Sequence, residues 1–164
     1  MSWLQENYEV ALSNPIILSV LIILGAVIAA KITDMIFTRI FKRIVNKTQT
    51  NFDDRILQLL HRPIFYSILF IGFSVAVKTA ELPNYIDYAL VGIFKTSTIL
   101  IWLFVVMKVL ILSMEWASQK TSNPLLQQKT LPLFNNLSKI IIFSGAIYFI
   151  MLSWGINPVG WLAS

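Results

Sequence analysis

The stretch from Tyr88 to Met114 reads YALVGIFKTSTILIWLFVVMKVLILSM, and Lys95 and Lys108 are its only charges. A membrane-spanning helix needs about 20 predominantly apolar residues. This run is long enough to cross a bilayer with residues to spare. The two lysines lie thirteen positions apart, which is about 20 Å along a helix. That spacing puts one ammonium near each face of the hydrocarbon layer, where the long stems let both reach water. No carboxylate lies within the run to pair with either. An ion-coupling role for one of them is therefore the weaker reading.

Three further apolar blocks have the same character: Pro15 to Ala30, Pro63 to Val77 and Ile140 to Trp161. The first two are short when counted strictly between charges. Lys31, Arg62 and Lys78 border them, and each can bury its stem while its charge reaches the headgroups. A single run of fifteen apolar residues would fit a buried helix of a soluble protein. Four of them in 164 residues would not, because 57% of the chain is hydrophobic and only 13% is charged. A soluble domain carries about 25% charged residues, and the mean hydropathy of +0.73 agrees with a membrane chain. The first block is not read as a cleaved signal, since Glu6 and Glu9 precede it in place of a basic region. The expected fold is all-α, a polytopic membrane protein with four transmembrane helices. It forms a single domain over residues 1–164, with spans near 15–36, 62–80, 86–114 and 137–157.

The basic residues give a direction. The connection between the first two spans holds Lys31, Arg39, Lys42, Arg43, Lys47, Arg55 and Arg62; the third connection holds Lys120, Lys129 and Lys139. With Lys108 on the same side, eleven of the thirteen basic residues face Lys78 and Lys95 on the other. Lys and Arg concentrate on the cytoplasmic side of a membrane, whereas acids contribute little to orientation. The N-terminus is expected outside, and the connections near 37–61 and 115–136 are expected in the cytoplasm. The net charge of +5 is thereby an orientation signal beside the spans. The expected partners are membrane lipids, with no nucleic acid.

Ile32, Ile36, Ile40 and Ile44 recur every four residues beyond the first span, with Arg39, Lys42, Arg43 and Lys47 among them. The pattern predicts an amphipathic extension whose four basic residues contact lipid headgroups. A plain positive-inside anchor with no lipid selectivity explains the same residues. Asp53 and Asp54 follow a turn at Thr48 to Asn51 and open the next helix, where carboxylates favour the N-terminal dipole. No His, Glu or third Asp nearby completes a metal set, so helix capping is the preferred reading of the pair. Gly25 with Ala29, Ala26 with Ala30, and Gly72 with Ala76 place small residues four apart, a spacing that lets membrane helices approach closely. His61 reads as an interfacial side chain. Trp102 falls mid-span and needs packing against a helix or lipid.

Catalytic and cofactor signatures are missing. The chain has no cysteine, which removes disulfides, thiolate metal sites and cysteine nucleophiles. It has one histidine, and no Gly-rich phosphate loop, HExxH or nucleophile elbow. No cofactor and no metal are expected, and the chain is not read as an enzyme. No acid lies deep within a span, which disfavours a proton-coupled transporter.

Residues 47–63 read KTQTNFDDRILQLLHRP. This resembles the stretch between two transmembrane helices in small-conductance mechanosensitive (MscS-like) channels, with Lys-Thr, Asp-Asp and Arg-Pro at similar spacing. Toward the C-terminus, Leu131-Pro132-Leu133, then Trp154-Gly155-Ile156-Asn157-Pro158 and Leu162-Ala163-Ser164, resemble the approach to that family's pore helix. The resemblance implies a homo-oligomer, a heptamer, in the cell inner (plasma) membrane, opened by bilayer tension. It places the N-terminus outside, in agreement with the charge count. It also implies that these residues form the peripheral, tension-sensing part and stop before the pore helix and a cytoplasmic domain, so no pore residue is assigned. The alternative function is a free-standing four-span structural or assembly protein without conductance.

Overall fold

A computed structural model of the chain describes residues 14–45, 51–120 and 131–162. The described residues form five helices: α1 (Pro15–Val45), α2 (Asn51–Thr79), α3 (Asn84–Lys120), α4 (Leu131–Ser153) and the short α5 (Pro158–Leu162). Four of them are long and apolar enough to cross a membrane, through Pro15–Ile40, Arg55–Thr79, Asn84–Ser118 and Pro132–Ser153. The protein is thus an all-α chain with four membrane-spanning helices. α1 runs without a break past its apolar block to Val45, through the stretch where isoleucines alternate with basic residues. α3 has 37 residues, about 55 Å at the α-helical rise, so it outruns a hydrocarbon layer of about 30 Å.

The helix ends follow from local chemistry. Asn14 caps α1: its Oδ1 accepts from the Ile16 N–H at 3.0 Å, and Pro15 takes the first helical position, where a missing N–H costs nothing. α2 ends where the Ala80 N–H reaches back to the Ala76 carbonyl at 3.0 Å and Glu81 turns left-handed at φ 50°. Pro83 then accepts from the Ile86 and Asp87 N–H groups and starts α3. The connection is so short that α2 and α3 must run antiparallel.

α4 closes with a Schellman turn. The Ile156 N–H donates to the Met151 carbonyl at 2.9 Å, the Gly155 N–H donates to that of Leu152 at 3.0 Å, and Gly155 sits at φ 70°. Asn157 next caps α5 through bonds from the Val159 and Gly160 N–H groups, and Pro158 opens it. The run Trp-Gly-Ile-Asn-Pro is therefore one stop-and-restart signal between two helices.

The long helices pack as a row. α1 lies on α2, α2 on α3, and α3 on α4. Between 6% and 11% of the most apolar eighteen residues of each are buried inside the protein. In water such a row would expose a large apolar area. In a bilayer the same faces meet hydrocarbon.

The α1–α2 seam is made of small residues: Ala26, Ala30 and Ala76 are buried, and a Cβ built on Gly72 would stand 2.1 Å from that of Ala26. The α2–α3 seam is aromatic. Phe70 stacks on Phe94 at 5.8 Å between ring centroids, and Phe73 leans on Phe94 at 5.7 Å. In the same seam the Trp102 indole N–H donates to Ser67 Oγ at 2.9 Å, which satisfies a polar group placed in mid-span.

Trp154 ties the end of α4 to the start of α3. Its indole N–H donates to Thr96 Oγ1 at 2.9 Å, its ring meets the Tyr88 ring edge-on, and its carbonyl accepts from the Tyr88 hydroxyl. Gly92 leaves room for it, since a Cβ there would lie 3.1 Å from the indole.

Candidate functional site

Two groups of titratable side chains lie toward the end of the row where α1 finishes and α2 begins, here termed the basic end. They fall one in each of the first two seams.

The first joins α1 to α2. Asp34 and Thr38 stand one turn apart on α1, and His61 faces them from α2. Nε2 of His61 lies 2.7 Å from Asp34 Oδ1 and 3.3 Å from Thr38 Oγ1. The contact with the carboxylate requires the proton on Nε2, so the histidine donates. The Thr38 hydroxyl spends its own proton on the Asp34 carbonyl at 2.8 Å, which leaves its oxygen free to face the ring N–H. Phe37 flanks the ring, 6.2 Å between centroids. The cluster is a polar latch between two membrane helices. It holds no second acid and no hydroxyl besides that of Thr38, and among the described residues no group of three or more His, Cys, Asp or Glu side chains could hold a metal.

The second cluster lies between α2 and α3, around an open groove of about 750 Å³. Arg55 and Arg62 reach it from α2, and Lys108 and Glu115 from α3. Pro63 lies in its wall and is fully buried within α2. Proline has no N–H to give the Leu59 carbonyl one turn back, so α2 is one bond short where the groove opens.

The positions singled out from the sequence fall in different places. Arg39 is exposed on α1. Lys42 and Arg43 lie in the last turns of α1, with side chains outside the described residues, as does the whole of Lys47. α2 begins at Asn51, so Asp53 and Asp54 occupy its first turn by position; their side chains are likewise outside the described set. Gly72 faces α1, and Ala76, one turn further along α2, is buried. Gly25 and Ala29 do not face α2: both are exposed, and nothing lies within 4 Å of a Cβ built at Gly25. The small residue that meets Gly72 is Ala26, from the neighbouring pair on α1.

Sequence reading overlooked the link between Asp34 and His61. The signal was available. Asp34 lies fourteen residues before Thr48 and His61 thirteen after it, so an antiparallel hairpin turning near Thr48 brings them level.

The fold and these clusters define a multi-pass helical membrane protein whose two polar clusters lie toward one end of the row. Comparison with known proteins adds one finding. Over 81 residues the chain is 36% identical to the small-conductance mechanosensitive channel MscMJ of Methanocaldococcus jannaschii. The aligned stretch takes in 49% of this chain and 23% of that channel, so the chain spans well under two thirds of its relative. No family model matches the chain, and no solved structure does.

Proposed function

We propose that the four helices form the peripheral, tension-sensing membrane part of a mechanosensitive ion channel, and that the ion path is lined by a helix other than these four. The observation that carries this reading is the 81-residue similarity to a mechanosensitive channel. The open row supports it physically. Membrane tension favours whichever conformation occupies more area, and a ligand or force shifts an equilibrium only through a difference between its two states. Helices with so little of their apolar surface buried in the protein present most of it to lipid, where such a difference can act.

In this reading the N-terminus is outside and the basic end faces the cytoplasm, as the Lys and Arg distribution favours. The channel is a homo-oligomer, a heptamer by resemblance, in the plasma membrane. Arg39, Lys42, Arg43 and Lys47 lie at the inner headgroups and couple α1 to that leaflet. The protein performs no catalysis.

The test is patch-clamp recording of the intact gene product in liposomes. Suction-activated currents are expected. Their absence at tensions up to membrane rupture would overturn the channel reading and leave a structural or assembly protein. The 164 residues by themselves are expected to carry no current, and a tension-activated current from them alone would refute the assignment of the ion path to another helix.

A further inference from the structure

The groove between α2 and α3 has a chemical gradient along its length. Its deep part is apolar, with Leu59, Pro63 and Tyr66 on one wall and Ile101, Phe104 and Val105 on the other. Its mouth carries Arg55, Arg62 and Lys108, all exposed, with Glu115 as the one carboxylate in the lining. Among the described residues none of these three cations is paired with a carboxylate.

Depth orders these groups. Measured from the α2–α3 hairpin at the α-helical rise, Arg62 lies about 26 Å down, Arg55 and Lys108 about 36 Å, and Glu115 about 46 Å. A hydrocarbon layer is about 30 Å thick. The apolar walls therefore lie at acyl-chain depth or at its border, Arg62 stands beside them just inside that border, and Arg55 and Lys108 lie near the phosphate level. Glu115 lies beyond them, toward water. The long stems of Arg62 and Lys108 can span the remaining difference.

We propose that this groove binds an anionic glycerophospholipid, with its phosphate among Arg55, Arg62 and Lys108 and one acyl chain along the apolar walls. Three features support this occupant. The mouth carries a net positive charge. The guanidinium groups offer the paired N–H donors that suit phosphate oxygens. The volume of about 750 Å³ falls in the range of about 300–1,000 Å³ usual for small-molecule sites. A free phosphate ion would leave the apolar walls unused. This site is separate from the basic stretch on α1 and does not depend on the channel reading.

The probe is a mixture of phosphatidylglycerol and phosphatidylcholine in micelles, with retained lipid measured by native mass spectrometry. The protein is expected to keep phosphatidylglycerol in preference to phosphatidylcholine. The double variant R62Q/K108Q should lower that retention by about thirtyfold. Glu115→Gln should raise it, a gain that misfolding cannot mimic. Lys139→Gln, on α4 and outside the groove, should leave it unchanged. Equal retention of both lipids, or no response to the groove variants, would overturn the proposal. Displacement of the lipid by millimolar inorganic phosphate would overturn it in favour of a free anion. Retention of neither lipid, with cross-linking through Lys108→Cys to a second copy, would assign the groove to a subunit interface. Current is not read, so failure of the channel assignment and failure of this one are distinguishable.

Discussion

Gly72 decides how closely α1 and α2 approach. A methyl group there would overlap the Ala26 Cβ, and both atoms belong to helix stems that cannot rotate away. Gly72→Ala should destabilise the protein by about 1–3 kcal/mol, the usual cost of overpacking. Gly25→Ala meets only open space and should raise stability by about 0.5–1 kcal/mol, the gain of alanine over glycine inside a helix. Reversible unfolding in mixed micelles measures both. A loss at Gly25 equal to that at Gly72 would contradict the described seam. The two glycines were equivalent as sequence, each four residues before an alanine. Which of them packs is a matter of helix rotation, set by where the rest of α1 finds its neighbour. The Asp34–His61 contact is similar. Asp34→Asn should cost about 0.5–1 kcal/mol, the modest value of a half-exposed pair, and Asp34→Ala with His61→Ala should be less than additive in a double-mutant cycle.

The helix boundaries and the stop-and-restart between α4 and α5 belong to the scale of elements. Gly155 is left-handed, as is Glu81. Gly155→Ala should lower stability by about 1 kcal/mol, the strain a Cβ meets in that region, and Glu81→Gly should raise it by a similar amount. Opposite signs at two helix ends give a test that a general loss of packing cannot imitate. The element pattern was largely legible beforehand. Four apolar blocks, bounded by charged or proline-bearing turns, gave four spanning helices because bilayer thickness fixes how long an apolar run must be. The Trp154 cluster was not legible. Its contacts reach Tyr88, Thr96 and Gly92, some sixty residues away, and no local periodicity encodes a partner at that distance. Trp154→Phe removes the bond to Thr96 and should cost about 1 kcal/mol.

At the scale of the molecule, the row leaves both broad faces to the membrane and gathers its charged clusters at one end. The chain lacks cysteine, so single cysteines report topology without background. Leu82→Cys, in the α2–α3 hairpin, should react with a membrane-impermeant maleimide added outside cells. Thr48→Cys and Ser122→Cys should react only after permeabilisation. The reverse pattern would invert the orientation read from the basic residues. The amino-acid order alone was enough for the class of protein and the number of spans, because hydrocarbon rejects charge wherever the chain folds. It could not supply the neighbours. The Ala26–Gly72 contact, the Asp34–His61 latch and the cation-rimmed groove arise only when the faces of separate helices are set in register. That register depends on side-chain shape, to which lipid-driven insertion is indifferent.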